Sequence, residues 1–199
     1  MSYAIVGFGK IGQALAKAFA RKGIEVSVAA TRDPESFAAD AAAIGPTIIP
    51  KTLAEAIKAD IVFLAVRFES HPDVAKALPS WEGKTIIDAT NVFPVPEELD
   101  GLPSSAFVAK AFTGAKLVKG FNHLIAATLA ADPIVEGGHR VVFLSGDDED
   151  AIAPVAALAR QLGFAPVKLG KLNEGGALVH ARGRTWGQLI FQDLFKKEQ

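Results

Sequence analysis

The strongest constraint on this chain is a glycine turn near its start. Gly7-Phe8-Gly9-Lys10-Ile11-Gly12 reads G-x-G-x-x-G. It follows a short apolar run, Tyr3-Ala4-Ile5-Val6. It opens into Ile11, Leu15, Ala18 and Phe19 at helical spacing, closed by Arg21-Lys22-Gly23. The spacing alone says little in a chain with 18 glycines. Between a strand and a helix, each glycine acquires a mechanical reason. Gly7 permits the tight turn, Gly9 lets backbone approach a pyrophosphate, and Gly12 lets the helix pack on the strand. The helix start offers unpaired N–H groups and partial positive charge to an anion. The pattern predicts a dinucleotide site in which Gly7, Phe8, Gly9, Lys10, Ile11 and Gly12 surround the phosphates.

Downstream, the hydrophobic period keeps switching between strand and helix. Strands are expected at Glu25–Ala30, Ile48-Ile49, Ile61–Val66, Thr85–Asp88, Leu117–Gly120, Val141–Leu144 and Ala165–Leu169. Helices are expected over about Pro34–Ala43, Thr52–Ile57, Pro72–Leu78, Ser105–Phe112, Leu124–Ala130, Glu149–Leu162 and Glu174 to about Phe195. Thr52 and Glu55 have capping-box spacing. Phe93–Ser105 and Asp132–His139 read as loops. Ile61–Val66 is continuously apolar, as a strand is when helices cover both faces. No period of a repeat protein and no low-complexity linker interrupts the order. The expected fold is α/β: a doubly wound, mainly parallel sheet with helices on both faces. One domain spans residues 1–199, with 171–199 as a C-terminal helical extension.

Composition narrows the classes. There are no cysteines, so disulfides, thiolate metal sites and cysteine nucleophiles are out. Lys and Arg number 21 against 22 Asp and Glu, which argues against a nucleic-acid or membrane-surface partner. No apolar run approaches the ~20 residues of a membrane span. No secretory leader is read, so a cytoplasmic location is expected. The acidic run Asp147-Asp148-Glu149-Asp150 suits a helix start, where carboxylates complement the dipole, and no metal site is expected.

The end of the second strand chooses between nicotinamide cofactors. A carboxylate there would hold the ribose 2′-hydroxyl of NAD. The chain instead has Ala29-Ala30-Thr31-Arg32, and Arg32 with Thr31 suits a 2′-phosphate. NADP(H) is therefore expected, with Asp33 serving a ribose as the alternative. Further ligand contacts are sought beyond the carboxyl ends of later strands. Val66-Arg67-Phe68-Glu69-Ser70-His71 follows the clearest strand and is expected to border the cofactor, with Arg67 on phosphate or, equally, solvated. Asn91 suits the nicotinamide-ribose region or, equally, a turn. Asn122 and His123 are the candidate catalytic pair, able to donate hydrogen bonds to a ring's carbonyl edges, with Phe93 and Phe121 as apolar surface. His123 reads alternatively as a packing residue at a helix start.

Several segments together resemble a known family. They are Gly7 to Gly12, Ala30-Thr31-Arg32, Ile87-Asp88-Ala89-Thr90-Asn91, Lys119-Gly120-Phe121-Asn122-His123 and Phe143-Leu144-Ser145-Gly146-Asp147-Asp148. Leu162 to Val167, Leu169 to Leu172 and Glu174-Gly175-Gly176 extend the likeness over nearly the whole chain. The family is the deazaflavin coenzyme (F-420)-dependent NADP oxidoreductases and their dinucleotide-binding relatives. The resemblance implies a Rossmann-type domain, NADP(H), and hydride transfer to a flavin-type ring, deazaflavin or another small redox acceptor. The cofactor carries that chemistry, so the protein needs little acid–base machinery. A non-catalytic, NADP-binding redox-sensing module fits the same residues. A homodimer is the one assembly considered.

Overall fold

A computed structural model describes residues 1–92, 99, 101–180 and 194–196. β1 (Tyr3–Val6) ends in the glycine turn, and α1 (Lys10–Arg21) returns the chain to β2 (Val26–Ala29). A 3-10 turn at Pro34–Phe37 leads to α2 (Ala38–Ile44) and β3 (Ile48–Pro50). α3 (Leu53–Ala56) precedes β4 (Ile61–Leu64), and α4 (His71–Ala75) precedes β5 (Thr85–Asp88). α5 (Ser104–Ala111) leads to β6 (Lys116–Gly120) and α6 (Ala126–Ala130). β7 (Ile134–Val135), β8 (Gly138–Gly146), α7 (Glu149–Gln161), β9 (Ala165–Lys168), α8 (Gly175–Leu178) and β10 (Leu194–Lys196) follow.

The first six strands lie in the order β3-β2-β1-β4-β5-β6, every pair parallel. That is the Rossmann order, with its switch point between β1 and β4. β8 then reverses direction and pairs antiparallel with β6, Val118 facing Gly146. β9 runs parallel to β8, while β7 and β10 pair antiparallel with its first residues.

Strand alternation divides the core in two. Ile5, Phe63, Ile87 and Val118 pack on one face with α1 and α7. Ala4, Val6, Val62, Leu64 and Ile86 pack on the other with Trp81, Val108 and Phe112. A period of two sends neighbouring strand residues to opposite faces, and both faces are dry. On the first face, aromatic rings form a file: Tyr3, Phe19, Phe63, Phe121 and Phe164, with successive centroids 5.4–5.9 Å apart.

The capping box forms: Thr52 Oγ1 accepts from the Glu55 N–H at 3.3 Å, and Glu55 Oε2 accepts from the Thr52 N–H at 3.0 Å. Two expectations are corrected. Asp132–His139 is not a loop throughout; it contains the hairpin of β7 and the start of β8. Glu136 and Gly137 occupy the two-residue turn with φ of +50° and +78°, the positive values such a turn demands. The C-terminal extension is helical only at Gly175–Leu178 among the described residues, and Leu194–Lys196 is a strand. Glycine is a poor helix former, and the open edge of β8 offers backbone partners to Leu194–Lys196. Residues 181–193 of the expected helix lie outside the described residues.

Candidate functional site

The glycine turn has the geometry its sequence demands. Gly7 has φ +104°, and a Cβ there would stand 2.4 Å from the Ala65 carbonyl oxygen. A Cβ on Gly12 would overlap the Gly7 carbonyl oxygen at 1.8 Å, so only glycine lets α1 sit this close to β1. Gly9 differs: its φ is −83°, and nothing lies within 4 Å of an added Cβ. The space above Gly9 is open, on the side where a ligand would approach. No side chain caps α1, so the N–H groups at Lys10, Ile11 and Gly12 form an unblocked helix start.

A cavity of about 540 Å³ opens at the switch point. Gly7, Phe8 and Gly9 form its floor. Thr31 and Arg32 line it from the end of β2, and Val66 and Arg67 from the end of β4. Leu53, Ser70, Asp73 and Val74 also line it; Ser70 falls in the segment expected to border the cofactor, whereas sequence reasoning missed the other three. Val74 carried a weak signal, since it is an apolar residue on the helix directly after β4. Asp73 is the one carboxylate in the lining, and none comes from the end of β2. Arg32 stands 3.8 Å from Asp40 and 5.5 Å from the centre of the Phe37 ring. Those contacts hold an exposed guanidinium over the cavity while leaving it free to exchange partners.

Asn91, Asn122 and His123 do not line this cavity. They gather at the ends of β5 and β6. Asn91 Nδ2 donates to the Asn122 carbonyl at 2.8 Å. Asn122 Nδ2 donates to Asn91 Oδ1 at 3.1 Å and to the Val179 carbonyl at 2.9 Å. Both Asn122 amide protons are thus committed, and neither remains to meet a ring carbonyl. His123 is 2% exposed; its Nε2 donates to the Val141 carbonyl at 3.1 Å, and its ring packs on Phe143. Phe93 lies outside the described residues.

Beneath them lies a feature that sequence reasoning missed. Lys119 and Asp88 are fully buried and paired, Nζ to Oδ2 at 3.2 Å. Burial holds the Lys119 ammonium below its ordinary value, and the Asp88 carboxylate opposes that shift. In the acidic run, Asp148 Oδ1 caps α7 through the Asp150 N–H at 2.8 Å, and Asp148 pairs with Lys116 at 2.7 Å. Asp147 accepts from the Leu172 N–H at 3.1 Å. Among the described residues, no cluster of three or more His, Asp and Glu could hold a metal ion, and no helix is long and apolar enough to cross a membrane.

An uncapped helix start behind a glycine turn, at the switch point of this sheet, defines a dinucleotide-binding protein of Rossmann type. A family model described as "NADP oxidoreductase coenzyme F420-dependent" matches residues 2–92. Residues 2–92, a little under half of the chain, thus carry the domain of this oxidoreductase family. A hypothetical protein of Sinorhizobium meliloti is 38% identical with a TM-score of 0.91, over 99% of this chain and 96% of that one. A protein of Arthrobacter sp. FB24, provisionally assigned as an F420-dependent NADP reductase, is 25% identical with a TM-score of 0.70, over 96% and 90%. The rat metalloreductase STEAP3 is 30% identical over 172 residues, 84% of this chain. The chain spans about a third of the length of the curated relatives it matches.

Proposed function

We propose that this chain takes a hydride from NADPH and passes it to a flavin-type, deazaflavin or other small ring acceptor. The observation that carries the NADPH half is the cavity wall at the end of β2. Thr31 and Arg32 stand there in place of the carboxylate an NAD site needs. A cationic, bidentate donor suits a 2′-phosphate dianion and gains little from a ribose hydroxyl. The rest of the cavity fits the same cofactor. Gly9 leaves open space for the pyrophosphate, the α1 N–H groups face it, and Leu53, Val66 and Val74 give apolar surface for a base.

When bound, NADPH supplies two electrons and a hydrogen nucleus together as hydride, and the reduced acceptor takes its further proton from solvent. The chain's own task is to hold two rings in contact and keep water from between them. A planar flavin-type ring can receive that electron pair in one step, as hydride. A metal ion taking single electrons, as the name of the metalloreductase relatives would invite, needs such a ring as intermediary.

The test is transfer of label. NADPH deuterated at the transferring position is expected to deliver deuterium to a flavin or deazaflavin ring in single turnover. Reduction without label transfer would exclude the direct route. Saturable NADPH binding with no turnover against flavins, deazaflavin and quinones would instead favour the redox-sensing module. His123→Ala is expected to slow turnover while NADPH binding stays near wild type. Full activity would leave His123 a packing residue on Phe143.

A further inference from the structure

Dinucleotide binding leaves a buried polar chain unused at the ends of β5 and β6. Asp88 and Lys119 face each other in register on these strands. Lys119 Nζ donates to Asp88 Oδ2 and, at 2.5 Å, to the Thr90 carbonyl. Asp88 Oδ1 accepts from the Thr90 N–H at 3.0 Å and from its hydroxyl at 2.7 Å. Thr90 is therefore gripped at N–H, hydroxyl and carbonyl. The next residue, Asn91, exchanges side-chain bonds with Asn122, whose remaining amide proton goes to Val179. Rotating the Asn122 amide by a half-turn would set oxygen against oxygen at Val179, so its orientation is fixed. What remains is Asn122 Oδ1. It belongs to a residue 4% exposed, and among the described residues nothing donates to it.

The preceding residue adds a second observation. Phe121 has φ +63°, left-handed backbone that a bulky side chain rarely adopts. Its ring is held between Phe63 and Phe164. Strain of this kind persists where surrounding structure imposes it, and it gathers at functional sites. A buried ion pair is itself a poor way to gain stability, because desolvation offsets the attraction. A buried acceptor with no donor is costly as well. A ligand N–H at that oxygen would supply the missing donor.

We propose that Asn122 Oδ1 accepts a hydrogen bond from an amide-type N–H of a bound redox ring, and that Lys119 is the positioning residue that holds it there through Thr90 and Asn91. Two rings offer this chemistry: the carboxamide of nicotinamide and the imide edge of a flavin-type acceptor. The inference rests on the NADPH reading above.

Calorimetry separates the possibilities. The 3-acetylpyridine analogue of NADPH carries a methyl group where the carboxamide has NH₂. If Asn122 reads the carboxamide, wild type prefers NADPH over the analogue by about tenfold, and Asn122→Ala removes that preference. If it reads the acceptor, the same preference appears between a flavin and its N3-methyl derivative, again lost in Asn122→Ala. The double variant Lys119→Met, Asp88→Asn leaves no lone buried charge, and circular dichroism checks that it folds. It is expected to lose the same preference while binding 2′-phospho-ADP-ribose, which has no nicotinamide, as wild type does. Wild type that binds NADPH yet discriminates in neither arm overturns the inference and leaves the NADPH reading standing. Wild type that fails to bind NADPH takes down both. A double variant with full preference removes the positioning role of Lys119.

Discussion

Single residues at the glycine turn divide by what an added carbon would meet. Gly7 and Gly12 are closed against backbone, whereas Gly9 faces open space with a φ any residue adopts. Gly9→Val is therefore expected to fold with an unchanged melting temperature and to lose NADPH binding, because the isopropyl group takes the pyrophosphate's place. Calorimetry checks it; an unchanged dissociation constant would make the motif structural only. Arg32 sets the cofactor preference at the opposite wall. A charge-assisted contact contributes about 1.5–3 kcal/mol, so Arg32→Ala should weaken NADPH by about 10- to 150-fold and NADH far less. Equal losses, or a wild type that prefers NADH, would overturn the assignment. Both residues could be singled out from sequence because the turn and the strand end that follows α1 lie within one short stretch. The Lys119–Asp88 pair could not. Its partners are 31 residues apart, and a lysine within an apolar strand reads as a solvated side chain until its neighbour in the sheet is known.

Elements differ in how far local chemistry decides them. α3 is short but closed by its own capping box, which is why it was visible in the sequence. The hydrogen bonds from Thr52 hold the Glu55 carboxyl below its ordinary value of 4.5. A carboxylate lowered in the folded state adds stability above its unfolded value and loses it as pH falls through the folded one. Thr52→Ala should accordingly destabilise most near neutrality, and its urea-unfolding gap from wild type should narrow as pH falls below that ordinary value. A gap that stays constant with pH would show the box contributes through the hydroxyl alone. The β7–β8 hairpin escaped notice because its turn is Glu-Gly, not the Asn-Gly or Asp-Gly that announces such turns. The C-terminal segment was misread for a different reason. Leu194–Lys196 gain strand structure from the edge of β8, and such distant pairing leaves no periodic trace in the sequence.

Across the whole molecule, the doubly wound order was foreseeable from alternating periods, but the reversal of β8 was not. Strand direction depends on the route of the connection rather than on the residues of the strand. The aromatic file ties these regions together, with Phe63 at its centre and fully buried. Phe63→Ala should cost about 3–5 kcal/mol in chemical denaturation. It should also release Phe121, so nicotinamide discrimination is expected to weaken along with stability. A variant that keeps wild-type discrimination would uncouple the file from the crevice. The cavity at the switch point is written in one uninterrupted stretch, from Val6 to Val74. The clasp on Asn122, by contrast, waits for Val179, 57 residues further along. A ribosome reads in one direction, so a nascent chain presents every wall of the nucleotide cavity well before the far clasp emerges.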